Sequence, residues 1–131
     1  MTRFEGDLAA LMLAVATGTL AHAERPLFSH QAALTIVMAA NGYPAAPEKG
    51  GAVGLAEVSG AMVFHAGTAE INGQLVAIGG RVLNVTATGA DVTEAQAAAY
   101  AAVDCIDFPG GFCRKDIGWR EVAREAVLGT L

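Results

Sequence analysis

The sequence is short of positive charge, of cysteine and of any long apolar run, and each shortage removes a class of function. Eight Lys and Arg against thirteen Asp and Glu leave a net charge of -5. That balance argues against nucleic acid or an anionic membrane as a main partner. Anionic small molecules stay open, because one or two placed cations suffice for them. No apolar run approaches the ~20 residues needed to span a bilayer. Cys105 and Cys113 flank Pro109-Gly110-Gly111 at a spacing that matches no zinc or redox motif. Two reduced, partly buried thiols are expected; the alternative is a small secreted domain closed by a Cys105–Cys113 bridge. GxxxxGK[ST], GxGxxG after a strand, GxSxG and HExxH are all missing, and the acids form no obvious metal-holding cluster. The chain's own residues describe a module that adds an arginine, a lysine and some backbone amides to a site built elsewhere.

What is present suits one packed domain. Of the 131 residues 53% are hydrophobic and 16% charged, enough for a single core without staples. Much of the hydrophobicity is alanine, which favours close helix packing over lipid exposure. Leu8–Leu20 followed by Ala21-His22-Ala23 imitates a secretion signal, but Glu5 and Asp7 against Arg3 give the preceding residues the wrong sign. The chain is therefore expected to be soluble and cytoplasmic. Asp7 starts a helix to about Thr17 with Gly18 as its stop, and Leu8, Leu11, Met12 and Val15 share one face that wants a neighbour. Pro26 closes the connection after it. Ala32–Ala40, centred on Thr35, Ile36 and Val37, suits a strand buried on both faces. It runs into Asn41-Gly42-Tyr43-Pro44, a turn.

The central stretch is Phe64–Val85. Asn72-Gly73 between alternating apolar runs predicts a hairpin, and Gly79-Gly80-Arg81 turns the chain into a third strand through Val82, Leu83 and Val85. Together with Ala61–Phe64 these strands predict a twisted antiparallel sheet with one face covered. Arg81 is either a ligand-binding residue or a solvated charge at a strand end. The Tyr43–Gly54 loop, with Lys49 beside Gly50-Gly51, either meets an anion with its ammonium and backbone N–H groups or is a solvated surface loop. His65 is expected to be a hydrogen-bonded structural residue, since no Ser, Cys or Asp partner is evident.

Thr93-x-x-Gln96 has the form of a capping box opening a helix to about Asp104. Val92, Ala95, Ala99, Ala102 and Ile106 form its narrow apolar stripe. Asp116 is expected to cap a last helix with Trp119, Val122, Ala123, Ala126 and Val127 facing inward. Arg114, Lys115, Arg120 and Arg124 are expected to be solvated charges on that end. Helix, strand, loop, strands, helix, helix is an α+β order rather than alternating βαβ.

Five runs carry a resemblance: LTIVMAANGYPAAPEKG (34–50), VFHAGT (63–68), GGRVLNVTATG (79–89), EAQAAAYAAVDCIDF (94–108) and FCRKDIGWREVARE (112–125). In order and without large gaps, they resemble the C-terminal domain of the phosphoribosylamine–glycine ligases, also called glycinamide ribonucleotide synthetases, of the ATP-grasp superfamily. The resemblance implies a small antiparallel, barrel-like sheet packed with about three helices over residues 21–131. Residues 1–20 would be a helix continuing from an ATP-grasp domain, just after an RFGDPE-type segment. Family members join phosphoribosylamine to glycine in purine biosynthesis through a glycyl phosphate. They use ATP and Mg²⁺ held in domains before this one, so none of the cofactors is assigned to this chain. The implied partners are those remaining domains and the two substrates. Gly79, Gly80 and Arg81, with Lys49 and Gly50 in the Tyr43–Gly50 loop, are the implied substrate-binding residues; no catalytic or metal-binding residue is assigned. Many family members carry an aromatic residue near Pro47, a departure that bears on how the loop packs. Isolated, such a domain is expected to be inactive; the alternative is a non-catalytic module that docks on an ATP-grasp partner.

Overall fold

Two nine-residue strands, Ala32–Ala40 and Arg81–Gly89, pair antiparallel along their length and organise the molecule. In a computed structural model, which describes residues 1–128, the chain runs as follows: β1 (Phe4–Glu5), α1 (Leu8–Ala16), a 3-10 turn (Leu20–His22), β2 (Leu27–Phe28), β3 (Ala32–Ala40), β4 (Gly54–Leu55), β5 (Ala61–His65), β6 (Thr68–Ile71), β7 (Gln74–Ala77), β8 (Arg81–Gly89), α2 (Val92–Asp104), β9 (Ile106–Asp107), β10 (Gly111–Cys113) and α3 (Trp119–Leu128). Residues 129–131 of the expected domain lie outside the described residues. The main sheet has the order β10-β3-β8-β5, and β1–β2, β4–β9 and β6–β7 are separate two-stranded pairs. The α+β class is as the sequence suggests, but the sheets are open and do not close into a barrel.

β3 is not buried on both faces. From Leu34 to Met38 its residues alternate between buried and exposed, because a helix covers one side of the sheet. α2 packs across β3 and β8 and buries Ala95, Ala99, Ala102 and Val103. Against it lie Ile36, Leu83 and Val85, all fully buried, each contributing about 1.5–3 kcal/mol by leaving water. Small side chains let the helix approach closely. At its start a Cβ on Gly89 would fall 2.6 Å from the Ala95 nitrogen. On the other side the Thr35 and Thr86 hydroxyls are hydrogen-bonded at 2.8 Å, and Val37, Met62 and Phe64 are exposed.

The hairpin at Asn72-Gly73 forms as the dipeptide predicts. Both residues have positive φ, 52° and 76°, the geometry a two-residue turn between twisted strands needs. It is a sheet of its own, however, and β8 pairs instead with β3 and β5.

At the N-terminus Asp7 Oδ1 accepts from the Ala10 N–H and caps α1. Gly18, at φ 70°, ends it in a Schellman motif: Thr19 N–H donates to Ala14 O and Gly18 N–H to Val15 O. α1 buries none of its residues, and Met12, Leu13 and Val15 are more than half exposed. The neighbour its apolar face wants is not among the described residues.

The last two helices differ from expectation at their caps. α2 is capped by Asp91, whose Oδ1 accepts from Glu94 N–H, while Glu94 Oε2 accepts from Ala90 N–H. The capping box therefore lies two residues before the Thr93-x-x-Gln96 pattern. Thr93 instead donates its hydroxyl to Glu125 on α3, and the same carboxylate accepts from the N–H groups of Val92 and Thr93. Asp116 does not cap α3 with its side chain, which is held by Arg114 at 2.6–2.8 Å. The apolar stripe of α3 does not face inward either. Trp119 and Val127 are more than half exposed, and Val122 and Glu125 are the half-buried side. A carboxylate on a helix N-terminus, rather than an apolar stripe, ties α3 to α2. Arg114, Lys115 and Arg124 meet Asp116, Asp104 and Glu121 in exposed ion pairs. Cys105 and Cys113 are both free thiols, with no bridge between them.

The Glu125 carboxyl sits below its ordinary value, first because the Thr93 hydroxyl donates to the charged form and then because of the Val92 N–H. A depressed folded value stabilises the protein above the ordinary glutamate range and is lost as pH falls through the folded value. Glu125→Gln is therefore expected to lower the unfolding midpoint at neutral pH, with the gap to wild type closing in acid. Urea melts at stepped pH check this; a gap that stays constant with pH would refute the ionic cap.

Candidate functional site

The five residues singled out in the sequence meet at one corner of the sheet, where the β3–β8 ladder ends. Register slips there. Met38 pairs with Leu83 but Ala39 pairs with Arg81, so Val82 is an extra residue in β8. Such a bulge re-aims the side chains around it. Val82 and Leu83, adjacent in sequence, are both fully buried, while Arg81 is exposed. Without the bulge Arg81 would continue the inward set of Leu83, Val85 and Ala87. The slip is what delivers its guanidinium to solvent.

Backbones cross at this corner at distances that only glycine permits. A Cβ on Gly67 would lie 2.5 Å from Arg81 O and 2.9 Å from Gly79 Cα. A Cβ on Gly80 would lie 2.6 Å from Tyr43 Cδ2 and 3.4 Å from Pro47 Cγ. The Tyr43–Gly50 loop is fastened to the same place. Gly50 N–H donates to Ala77 O at 2.7 Å, Ala77 N–H to Gly51 O at 2.8 Å, and Ala40 N–H to Gly80 O at 2.9 Å. Gly79 N–H donates to Gly67 O at 3.2 Å. The amides of Gly50 and Gly79 are thus used within the domain, and those glycines shape the corner. The charge comes from Arg81 and Lys49, both exposed, neither of them in an ion pair or side-chain hydrogen bond among the described residues.

Other candidates settle into structural roles. His65 Nδ1 is 2.9 Å from Thr68 Oγ1, the hydrogen-bonded histidine expected. Among the described residues no group of His, Cys, Asp and Glu is placed to hold a metal ion. No helix of the described residues is long and apolar enough to cross a membrane. A cavity of about 420 Å³ between α1 and the N-terminal strands shares no residue with the corner and is lined by Phe4, Asp7, Leu11, His22 and Leu27 among others. Sequence reasoning missed Gly67 and the bulge at Val82, and took Tyr43 as a turn residue at the head of the candidate loop without its contact to Gly80. An isolated Gly beside a strand was the available signal.

With this geometry in hand, known proteins supply the family. The model of the family described as "Phosphoribosylglycinamide synthetase, C domain" matches residues 33–120. This chain belongs to that family. A phosphoribosylamine–glycine ligase of Mesorhizobium japonicum is 56% identical over 128 residues, covering 95% of this chain and 30% of its own length. A chloroplastic phosphoribosylamine–glycine ligase of Arabidopsis thaliana is 46% identical, covering 97% of this chain and 25% of its own. The crystal structure of a phosphoribosylamine–glycine ligase from Thermotoga maritima superimposes with a TM-score of 0.69 at 36% identity, over 82% of this chain and 27% of that one. The synthetase C domain thus spans under a third of the relatives it matches, which carry further domains.

The close approach of Gly67 to the Gly79–Arg81 backbone carries a prediction. Gly67→Ala is expected to destabilise the domain by about 1–3 kcal/mol, the usual penalty for overpacking. Denaturant unfolding measures it; a loss indistinguishable from zero would mean the crossing yields freely.

Proposed function

We propose that this C domain forms the substrate-side wall of a phosphoribosylamine–glycine ligase, whose ATP and Mg²⁺ are bound by the domains that the longer relatives carry. The observation that supports this most is the corner itself: Arg81 and Lys49, neither in an ion pair among the described residues, with glycine crossings bracing the backbone of Arg81. A guanidinium presents a rigid fork that matches a phosphate or acyl phosphate bidentately, and a lysine adds a point charge. Placed at the edge of a cleft, such cations would hold a phosphoribosyl group and stabilise charge that develops during phosphoryl and acyl transfer. Arg81 and Lys49 are the residues assigned this role, with Gly79, Gly80 and Gly50 shaping the approach. Residues 1–20 are assigned as the continuation of the ATP-grasp part, in keeping with an α1 none of whose residues is fully buried.

The same exposed face of α1 favours a second reading, a non-catalytic module that docks on an ATP-grasp partner. Both readings expect the chain alone to form no glycinamide ribonucleotide from phosphoribosylamine, glycine and MgATP. Turnover by the chain alone would sink them together. Supplying an ATP-grasp fragment separates them: the first expects activity to return, the second only association. In a complete ligase carrying this domain, Arg81→Ala is expected to lower kcat/KM by roughly a hundredfold, the size of losing one charge-stabilising donor. Arg81→Lys should recover part of that. Unchanged kinetics in Arg81→Ala would remove Arg81 from the site.

A further inference from the structure

We propose that Tyr43 is a positioning residue for Arg81, its ring acting as the brace that fixes the Gly79-Gly80-Arg81 backbone against the Tyr43–Gly50 loop. This rests on the reading of the corner as substrate-facing and extends it to a residue that touches no substrate. Arg81 is the last residue of β8 paired with β3, opposite Ala39 and next to the bulged Val82, so the Gly79-Gly80 backbone that leads into it lies beyond the ladder. Three contacts take over. Gly67 packs beneath Gly79 and Arg81, Ala40 N–H donates to Gly80 O, and the Tyr43 ring fills the side of Gly80 where a Cβ would project. The ring is so close that any side chain at Gly80 would displace it, with a Cβ 2.6 Å from Cδ2 and 3.1 Å from Cε2.

Tyr43 is also the point at which the loop carrying Lys49 is coupled to the arginine. Its own N–H donates to Ala40 O, the residue whose N–H holds Gly80. Pro47 packs on the same glycine from further along the loop. The ring therefore braces the start of the loop against Gly80, while the Gly50 N–H to Ala77 O bond fastens its Lys49 end. Bidentate recognition depends on such bracing, because a fork displaced from its anion keeps its charge but loses paired hydrogen bonds. The brace needs the flat ring and not the hydroxyl, which predicts that Phe replaces Tyr and that an aliphatic residue does not.

The test is a titration of the isotope-labelled full chain with ribose 5-phosphate, followed by amide shifts at Gly79–Arg81 and Lys49–Gly50. Binding in Tyr43→Phe is expected within about twofold of wild type. Tyr43→Leu and Gly80→Ala are expected to bind about tenfold more weakly, the loss of one or two charge-assisted hydrogen bonds, with β3 and α2 signals unchanged. Wild-type affinity in Tyr43→Leu overturns the positioning role alone and leaves Arg81 as the contact. A loss in Tyr43→Phe as large as in Tyr43→Leu overturns it in favour of a hydroxyl contact. No shift at the corner in wild type, or binding unaffected by Arg81→Ala, overturns the substrate-facing reading and the brace with it. If Tyr43→Leu does not fold, Gly80→Ala displaces the same ring from the opposite side and decides by the same criterion.

Discussion

The pairing of β3 with β8 is the constraint on which the other elements depend, because both strands lie in the interior of the sheet and have nowhere else to satisfy their backbone groups. Each ladder bond is worth little net, about 0.5–1.5 kcal/mol, but leaving its partners buried and unpaired costs more. The two strands are held in register by the alternation of Leu34, Ile36 and Met38 against Leu83, Val85 and Ala87. A slip of one residue would turn that whole set to solvent. α2 covers this pair, β5 and β10 flank it, and α3 reaches it through the start of α2.

Where that ladder fails is also where the candidate site lies. The bulge at Val82 puts two consecutive residues into the core and expels Arg81. Past the slip Arg81 still pairs with Ala39, Val82 O accepts from the N–H groups of Ala66 and Gly67, and close glycine crossings pack the corner. A cation placed this way is exposed yet has a fixed backbone, a combination a flexible loop does not give. The N-terminal unit is organised differently. Asp7, Gly18 and the edge-to-face contact of Phe4 with Phe28 at 5.7 Å hold it together internally, but none of its helix residues is buried.

Much of the fold was legible. β3 was bounded at Ala32 and Ala40, the Asn72-Gly73 hairpin and the Gly18 stop form as read, and the alanine stripe of α2 is buried. Each is a local signal: two residues of positive φ, a period of 3.6, a β-branched run. The errors concern partners. The hairpin was joined to β8, β3 was taken as buried on both faces, and α3 was turned inward on its apolar residues. The caps of both later helices were assigned to Thr93 and Asp116 when Asp91 and Glu125 serve α2 and Arg114 claims Asp116.

The sequence by itself determined the bounds of β3, the Asn72-Gly73 turn, the Gly18 stop, and which family the domain resembles. Those depend on φ preferences, periodicity and residue type, all carried by neighbours in the chain. Only the tertiary structure decided that Gly67, Tyr43 and Pro47 converge on Gly79-Gly80-Arg81, and that Arg81 faces solvent while Val82 does not. A bulge and a close backbone crossing arise from how separate strands fit, and no single strand's pattern records the register of its partner.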